Sequence, residues 1–150
     1  MENIQQHIAH FIEKQTVASV CCKGPEGDLH CFSCYFAYND KQQLLHFKTS
    51  DDSLHMQYLL KNPALAGTIL PDKLNKMMVQ GIQFSGILLS LSHSQAIGAG
   101  KLYYQKHPMA LAINGTVYTI QIDLLKMTDN TLGMGTRLVW DRRHSPLLHP

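Results

Sequence analysis

The segment from Leu44 to Leu70, LLHFKTSDDSLHMQYLLKNPALAGTIL, constrains the chain most, because signals for strand, turn, helix and strand follow one another without a gap. Leu45, Phe47 and Thr49 alternate with Leu44, His46 and Lys48, which is the period of two of a pleated strand. Ser50-Asp51-Asp52-Ser53 then supplies oxygens and negative charge where the open N–H groups and positive dipole end of a helix need them. Within that helix Leu54 and Tyr58 share one side, with Met56, Leu59 and Leu60 on the adjoining one. Asn62-Pro63 ends it, since proline disfavours helical geometry at the residue before it. Ala64 to Leu70 resumes as an apolar strand.

The remaining pattern builds around this frame. Ile4, Ile8, Phe11 and Ile12 make one stripe on a helix over about 3–15. Thr16–Lys23 and Asp28–Tyr38 are β-compatible and joined by Gly24-Pro25-Glu26-Gly27, so they read as a hairpin. Val79–Leu91 is a long strand in which Ile82, Phe84 and Leu88 share a face that Gly81 and Gly86 interrupt. Glycine within a strand marks a bulge, a bend or a close approach. Ser92–His107 is expected to be a helix with Ile97, Lys101 and Tyr104 on one side. Tyr118, Ile120, Ile122 and Leu124 alternate with polar residues as a half-buried strand. A turn over Asp129–Gly135 leads to a short strand at Arg137–Trp140. Six or seven antiparallel strands with two or three helices define an α+β fold with a curved sheet or barrel. One domain over 1–140 with a flexible tail over 141–150 is expected.

Composition narrows the function classes. A net charge of +2, with no Lys/Arg run carrying interleaved aromatics, argues against nucleic acid. No stretch approaches the roughly 18 apolar residues of a membrane helix, and the polar N-terminus is unlike a secretory signal. With 4 cysteines lacking disulfide-like spacing, a cytoplasmic, reducing address is expected.

Candidate chemistry is sparse. Cys31 and Cys34 in an extended strand point to opposite faces roughly 10 Å apart, as do Cys21 and Cys22 on the neighbouring strand. All four are therefore read as small buried hydrophobes rather than metal or redox groups. Among the 9 histidines, His7 and His10 could meet on a helix turn, but without a carboxylate partner solvent-facing histidine is expected. No hydrolase elbow surrounds Ser85 or Ser92, and no P-loop or dinucleotide fingerprint is present. The Lys48–Ser53 turn offers a cation, hydroxyls and helix N–H groups that could hold an anion. Asp51 and Asp52 oppose one, so ligand phosphate and ordinary capping both remain open.

The strand FKT, the helix SLHMQYLLKNP, the strand ALAGTIL and the long strand VQGIQFSGILLSL resemble the pyridoxamine 5'-phosphate oxidase-like flavin-binding split barrels. TDNTLGMGTRLVW, together with GIQFSG, is similar to the signature of a small bacterial YhbP-like subfamily. The resemblance runs from the first helix to Trp140. It implies a six-stranded split barrel, a homodimer, and a flavin mononucleotide (FMN) site in a cleft between subunits. The implied cofactor residues are Phe47, Lys48, Thr49, Ser50, Ser53 and His55. Where family members place an Arg-Lys pair on the phosphate this chain has Leu54 and His55, and Gly81 stands where a glutamine is common. The functional expectation is an FMN-binding oxidoreductase of unknown substrate. The alternatives are a non-catalytic small-molecule or interaction module on the same fold, and haem binding. A homodimer is also expected because the Ile82, Phe84 and Leu88 face needs a cover.

Overall fold

The structure, a computed structural model, describes residues 2–144. The elements run α1 (Ile4–Glu13), β1 (Val17–Lys23), β2 (Leu29–Asn39), β3 (Leu44–Thr49), α2 (Leu54–Lys61), β4 (Ala64–Ile69), β5 (Gln80–Leu88), α3 (Ala99–Lys106), β6 (Thr116–Asp129) and β7 (Arg137–Asp141). Single 3-10 turns lie at Ser94–Ala96, Pro108–Ala112 and Asn130–Leu132. All pairings are antiparallel in the order β3-β2-β1-β4-β5-β6-β7, and β3 also pairs β6. The first six strands thus close a split barrel and β7 lies outside the closure. β6 makes this possible by its length. Its first half, Thr116–Gln121, pairs β3, whereas Leu124–Thr128 pairs β7.

A single bulge sets which side chains enter the barrel. Ser85 pairs Leu124 but Gly86 pairs Ile122, so Asp123 is the extra residue of β6. Tyr118, Ile120 and Ile122 are buried before it, and Leu125, Met127 and Asp129 after it. Leu124, expected inside, is therefore turned half-exposed to the outer face. Gly86 permits the crossing, because a Cβ there would lie 2.1 Å from the Gln121 carbonyl oxygen. The face of Ile82, Phe84 and Leu88 needs no partner subunit, since it lines the barrel interior at 2%, 4% and 7% exposure.

The helices follow their caps. Asn3 and Gln6 form a capping box at the start of α1, which buries Ile8, Phe11 and Ile12 in the barrel core while Ile4 stays exposed. The helix expected over 92–107 is instead a 3-10 turn followed by α3, which starts only after Gly98. Its buried positions are Ala96, Ala99 and Tyr103, and Ile97 is exposed. Small alanines allow close approach to β3, which is why Leu44 packs with Ala96 and Leu89 and why β3 is buried on both faces. The tail read as loose from Asp141 is tied down in its first part. Arg142 Nε donates to the Ile122 carbonyl at 2.8 Å, and its Nη2 to the carbonyls of Gln42 and Gln43 at 3.0 and 3.1 Å. The rest of that expectation, 145–150, falls outside the described residues.

The cysteines are where the sequence reading departs most from the structure. Cys21 and Cys22 do point to opposite faces, as do Cys31 and Cys34, but the β1–β2 register sets Cys21 opposite Cys31 with Cα atoms 4.3 Å apart. These two form a disulfide on the outer face. Cys22 and Cys34 are free and buried in the core.

Candidate functional site

The sequence-marked turn and helix meet the inward face of β2, where His30 and Phe32 precede the buried Cys34. Ser53 caps α2 by accepting from the Met56 N–H at 3.4 Å, which starts the helix so that His55 falls in its first turn, over β2. The His55 ring lies flat on Phe32, with centroids 3.7 Å apart and planes within 9°, and it is stacked with His30 at 6.2 Å and 10°. Tyr58, one turn on, meets His30 edge to face at 6.3 Å. The Tyr58 hydroxyl donates to Asp28 at 2.6 Å, which ties the helix to the hairpin turn. Phe47, fully buried, lies beneath Phe32 at 5.8 Å. The result is a platform of parallel rings, His30, His55 and Phe32, with Phe47 as its support.

The platform carries an uncharged imidazole at His55. Burial, and secondarily the neighbouring His30, push the His55 pKa below 6.5, so the imidazole is uncharged at neutral pH. Its Nε2 shares a hydrogen bond of 2.7 Å with the Thr49 hydroxyl. The adjacent turn is acidic. Asp51 accepts from the Tyr118 hydroxyl at 2.7 Å and from the Thr116 hydroxyl at 3.0 Å, and these bonds hold its carboxyl below the ordinary range. Burial, reinforced by that carboxylate, pushes the Tyr118 pKa up to about 12. The Ser50 hydroxyl donates to Asp52.

Thr49, His55 and Phe47 therefore converge on the platform. Ser53 serves as helix cap and Ser50 is held by Asp52. Lys48 is directed elsewhere, its Nζ donating to the carbonyls of Ala110, at 2.8 Å, and Ile113 while lying 5.0 Å from the Tyr104 ring. Phe32 and His30 were missed in the sequence, although the alternation of His30, Phe32 and Cys34 along β2 carried the signal. Asp51 and Tyr118 could not be paired from the sequence because they are far apart in it.

The histidine expectation also needs correction. His7 is not without carboxylates, since its Nε2 lies 2.7 Å from the buried Asp129 and its Nδ1 3.2 Å from Glu2, while His10 pairs with Glu2 as well. His46 is buried, with Nδ1 2.9 Å from the Thr119 hydroxyl. Among the described residues no three His, Cys, Asp or Glu side chains converge as metal ligands, and no helix is long and apolar enough to cross a membrane.

No family model matches the chain. It is 33% identical over 138 residues to a UPF0306 protein of Serratia proteamaculans, covering 92% of this chain and 95% of that one. It is 30% identical over 135 residues to the UPF0306 protein YhbP of Escherichia coli O127:H6, covering 90% and 96%. Among solved structures, the haem-binding protein of Mycobacterium smegmatis superposes with a TM-score of 0.78 at 11% identity over 94% of this chain, which spans 59% of that longer chain. A FAD-binding protein of Mesorhizobium loti superposes with a TM-score of 0.61 at 16% identity, covering 81% of this chain and 91% of that one. At such identities the superpositions establish the split-barrel fold.

Proposed function

The chain belongs to the UPF0306 family, and from that premise we propose that it is a cytoplasmic flavin-binding split barrel of the pyridoxamine 5'-phosphate oxidase-like kind, acting as a homodimer. The observation that carries this reading is the ring platform of His30, His55 and Phe32, a stacked aromatic surface at whose edge the Thr49 hydroxyl is hydrogen-bonded to His55. Solved neighbours of this fold take haem or FAD, which are both planar conjugated ring systems. The exposed Leu54, next to His55 in the first turn of α2, leaves apolar surface near the platform for a second copy to cover.

The fit differs between the two ends of FMN. Stacked rings and hydroxyls suit the isoalloxazine and the ribityl chain. The phosphate end is not matched, because Asp51 and Asp52 repel it, His55 is neutral and Lys48 is engaged by carbonyls. In this reading affinity comes from the ring system. A bound flavin supplies redox chemistry, while the protein's residues orient it and keep water from one ring face. Fluorescence titration with FMN and with riboflavin tests this. Both should saturate, with affinities within about tenfold of each other, and Phe32→Ala should weaken both together. Absence of saturable binding by either flavin would defeat the reading.

Haem is the second reading, and one feature favours it. His55 has its pKa lowered by burial, and a neutral imidazole is the ligating form. A Soret band shifted on titration with haem and lost in His30→Ala or His55→Ala would support it. If neither cofactor binds, the barrel is a non-catalytic small-molecule or interaction module.

A further inference from the structure

We infer that Cys21 and Cys31 are a reversible dithiol/disulfide site on the outer wall of the barrel, which exchanges with small anionic thiols and disulfides. The barrel sorts its cysteines by face. Cys22 and Cys34 lie in the core at 3% and 8% exposure, out of reach of any reagent. On the outer face Cys31 is exposed and Cys21 half-exposed. Thiol–disulfide exchange requires a thiolate to reach a sulfur, and only the outer pair allows that.

The surroundings of the pair are open and shaped. Cys21 and Cys31 border a groove of about 460 Å³, which lies within the usual range of small-ligand sites. Its floor is low because the outward-facing Ser19 and Ala66 are small. Lys126 is the charged residue among those lining the groove, so an anionic thiol meets a cation and no lining carboxylate. Backbone geometry makes the bond dispensable to the fold. The two cysteines are register partners in a ladder that continues on both sides, from Val17 opposite Tyr35 to Lys23 opposite Leu29. Opening the bond leaves that ladder in place.

The exchange balances without another co-reactant. An incoming thiolate attacks the more exposed Cys31 sulfur, a mixed disulfide forms there, and the Cys21–Cys31 bond breaks with Cys21 leaving as thiolate. A second thiolate then attacks the incoming sulfur, releasing the small disulfide and the Cys31 thiolate. Solvent protonates both cysteines. Two small thiols are oxidised to one disulfide and the protein disulfide is reduced to two thiols.

The full chain, equilibrated in buffers of reduced and oxidised glutathione and quenched with an alkylating agent, gives the test by mass spectrometry. Cys21 and Cys31 should acquire label together and reversibly while Cys22 and Cys34 do not. A hundredfold change in the squared-thiol-to-disulfide ratio around the midpoint should move the reduced fraction from about a tenth to about nine-tenths. In Cys21→Ser, glutathione should be trapped on Cys31. Lys126→Glu should slow reaction of the reduced protein with oxidised glutathione but not with the neutral bis(2-hydroxyethyl) disulfide. The inference is overturned if the native wild-type pair does not respond to the ratio, or if the inner cysteines label equally. An equal effect of Lys126→Glu on both probes overturns the ligand class. No flavin enters these measurements, so their outcome is separate from that of the cofactor reading.

Discussion

The His55 imidazole lies parallel to the Phe32 ring at 3.7 Å, while its Nε2 is hydrogen-bonded to Thr49 at 2.7 Å. One side chain thus locks the first turn of α2 to both β2 and β3. A double-mutant cycle with His55→Ala and Phe32→Leu, followed by chemical denaturation, should give a coupling of about 0.5–1.5 kcal/mol, the range for stacked aromatic pairs. Strict additivity would show that the stack contributes nothing.

Flavin binding should show little pH dependence between about 8 and 6.5. From the sequence, a protonated His55 would strengthen phosphate binding on acidification through the ordinary histidine range. Burial and His30 instead lower its pKa below 6.5, so protonation is displaced to lower pH. Affinity for FMN that rose steeply from pH 8 to 6.5, without a parallel change for riboflavin, would contradict this.

His46 predicts a loss of stability in acid. It is buried, and desolvation lowers its pKa from 6.5 to about 4. The unfolded chain binds the proton first as pH falls, so stability is complete above 6.5 and declines through the window down to about 4. The loss should amount to about 3 kcal/mol. Urea melts across that window should show a shallower decline in His46→Gln than in wild type; parallel profiles would exclude His46 as the cause.

His7 acts in the opposite direction. The hydrogen bond to Asp129 raises its pKa despite some desolvation, so its contribution is full below 6.5 and is lost as pH rises through the raised folded value. Burial alone would push the Asp129 carboxyl up, but bonds from Thr131, His7 and Gln80 outweigh it and the net shift is down. Asp129→Ala leaves those donors without their acceptor and should cost about 3 kcal/mol. His7→Ala should cost less, and less at pH 8 than at pH 6. Equal costs of His7→Ala at both values would count against a charged clasp.

Gly86→Ala should destabilise the barrel by about 1–3 kcal/mol or more, because the added methyl meets the β6 backbone rather than a side chain that can move. Gly98→Ala, with open space around it, should be nearly neutral. Equilibrium unfolding of the two variants compares them directly, and similar stabilities would show that the β5–β6 crossing tolerates a Cβ.

Features decided by neighbours in sequence were legible in the sequence by itself. The Asn62-Pro63 stop, the oxygens before α2, the α1 stripe from Ile8 to Ile12 and the alternation from Tyr118 to Ile122 are all local, because caps and side-chain periods depend on residues within a turn or two. Together with strand count they led to an antiparallel α+β fold with a curved sheet or barrel, and the family resemblance supplied the split-barrel form. The tertiary structure alone decided what depends on register and closure. Asp123 reads like any other polar residue of a strand, yet as the bulged residue it turns Leu124 outward and sends Asp129 into the interior to meet His7. Cys21 meets Cys31 because the β1–β2 ladder sets them opposite each other, and no spacing of cysteines in one strand contains that information. Lys48 was drawn away from its turn by carbonyls of Ala110 and Ile113, contacts between segments whose distance in sequence hides their proximity. The physical division is one of range: local dihedral and capping energies select the elements, and which face of each meets which neighbour is selected by burial summed over the closed sheet.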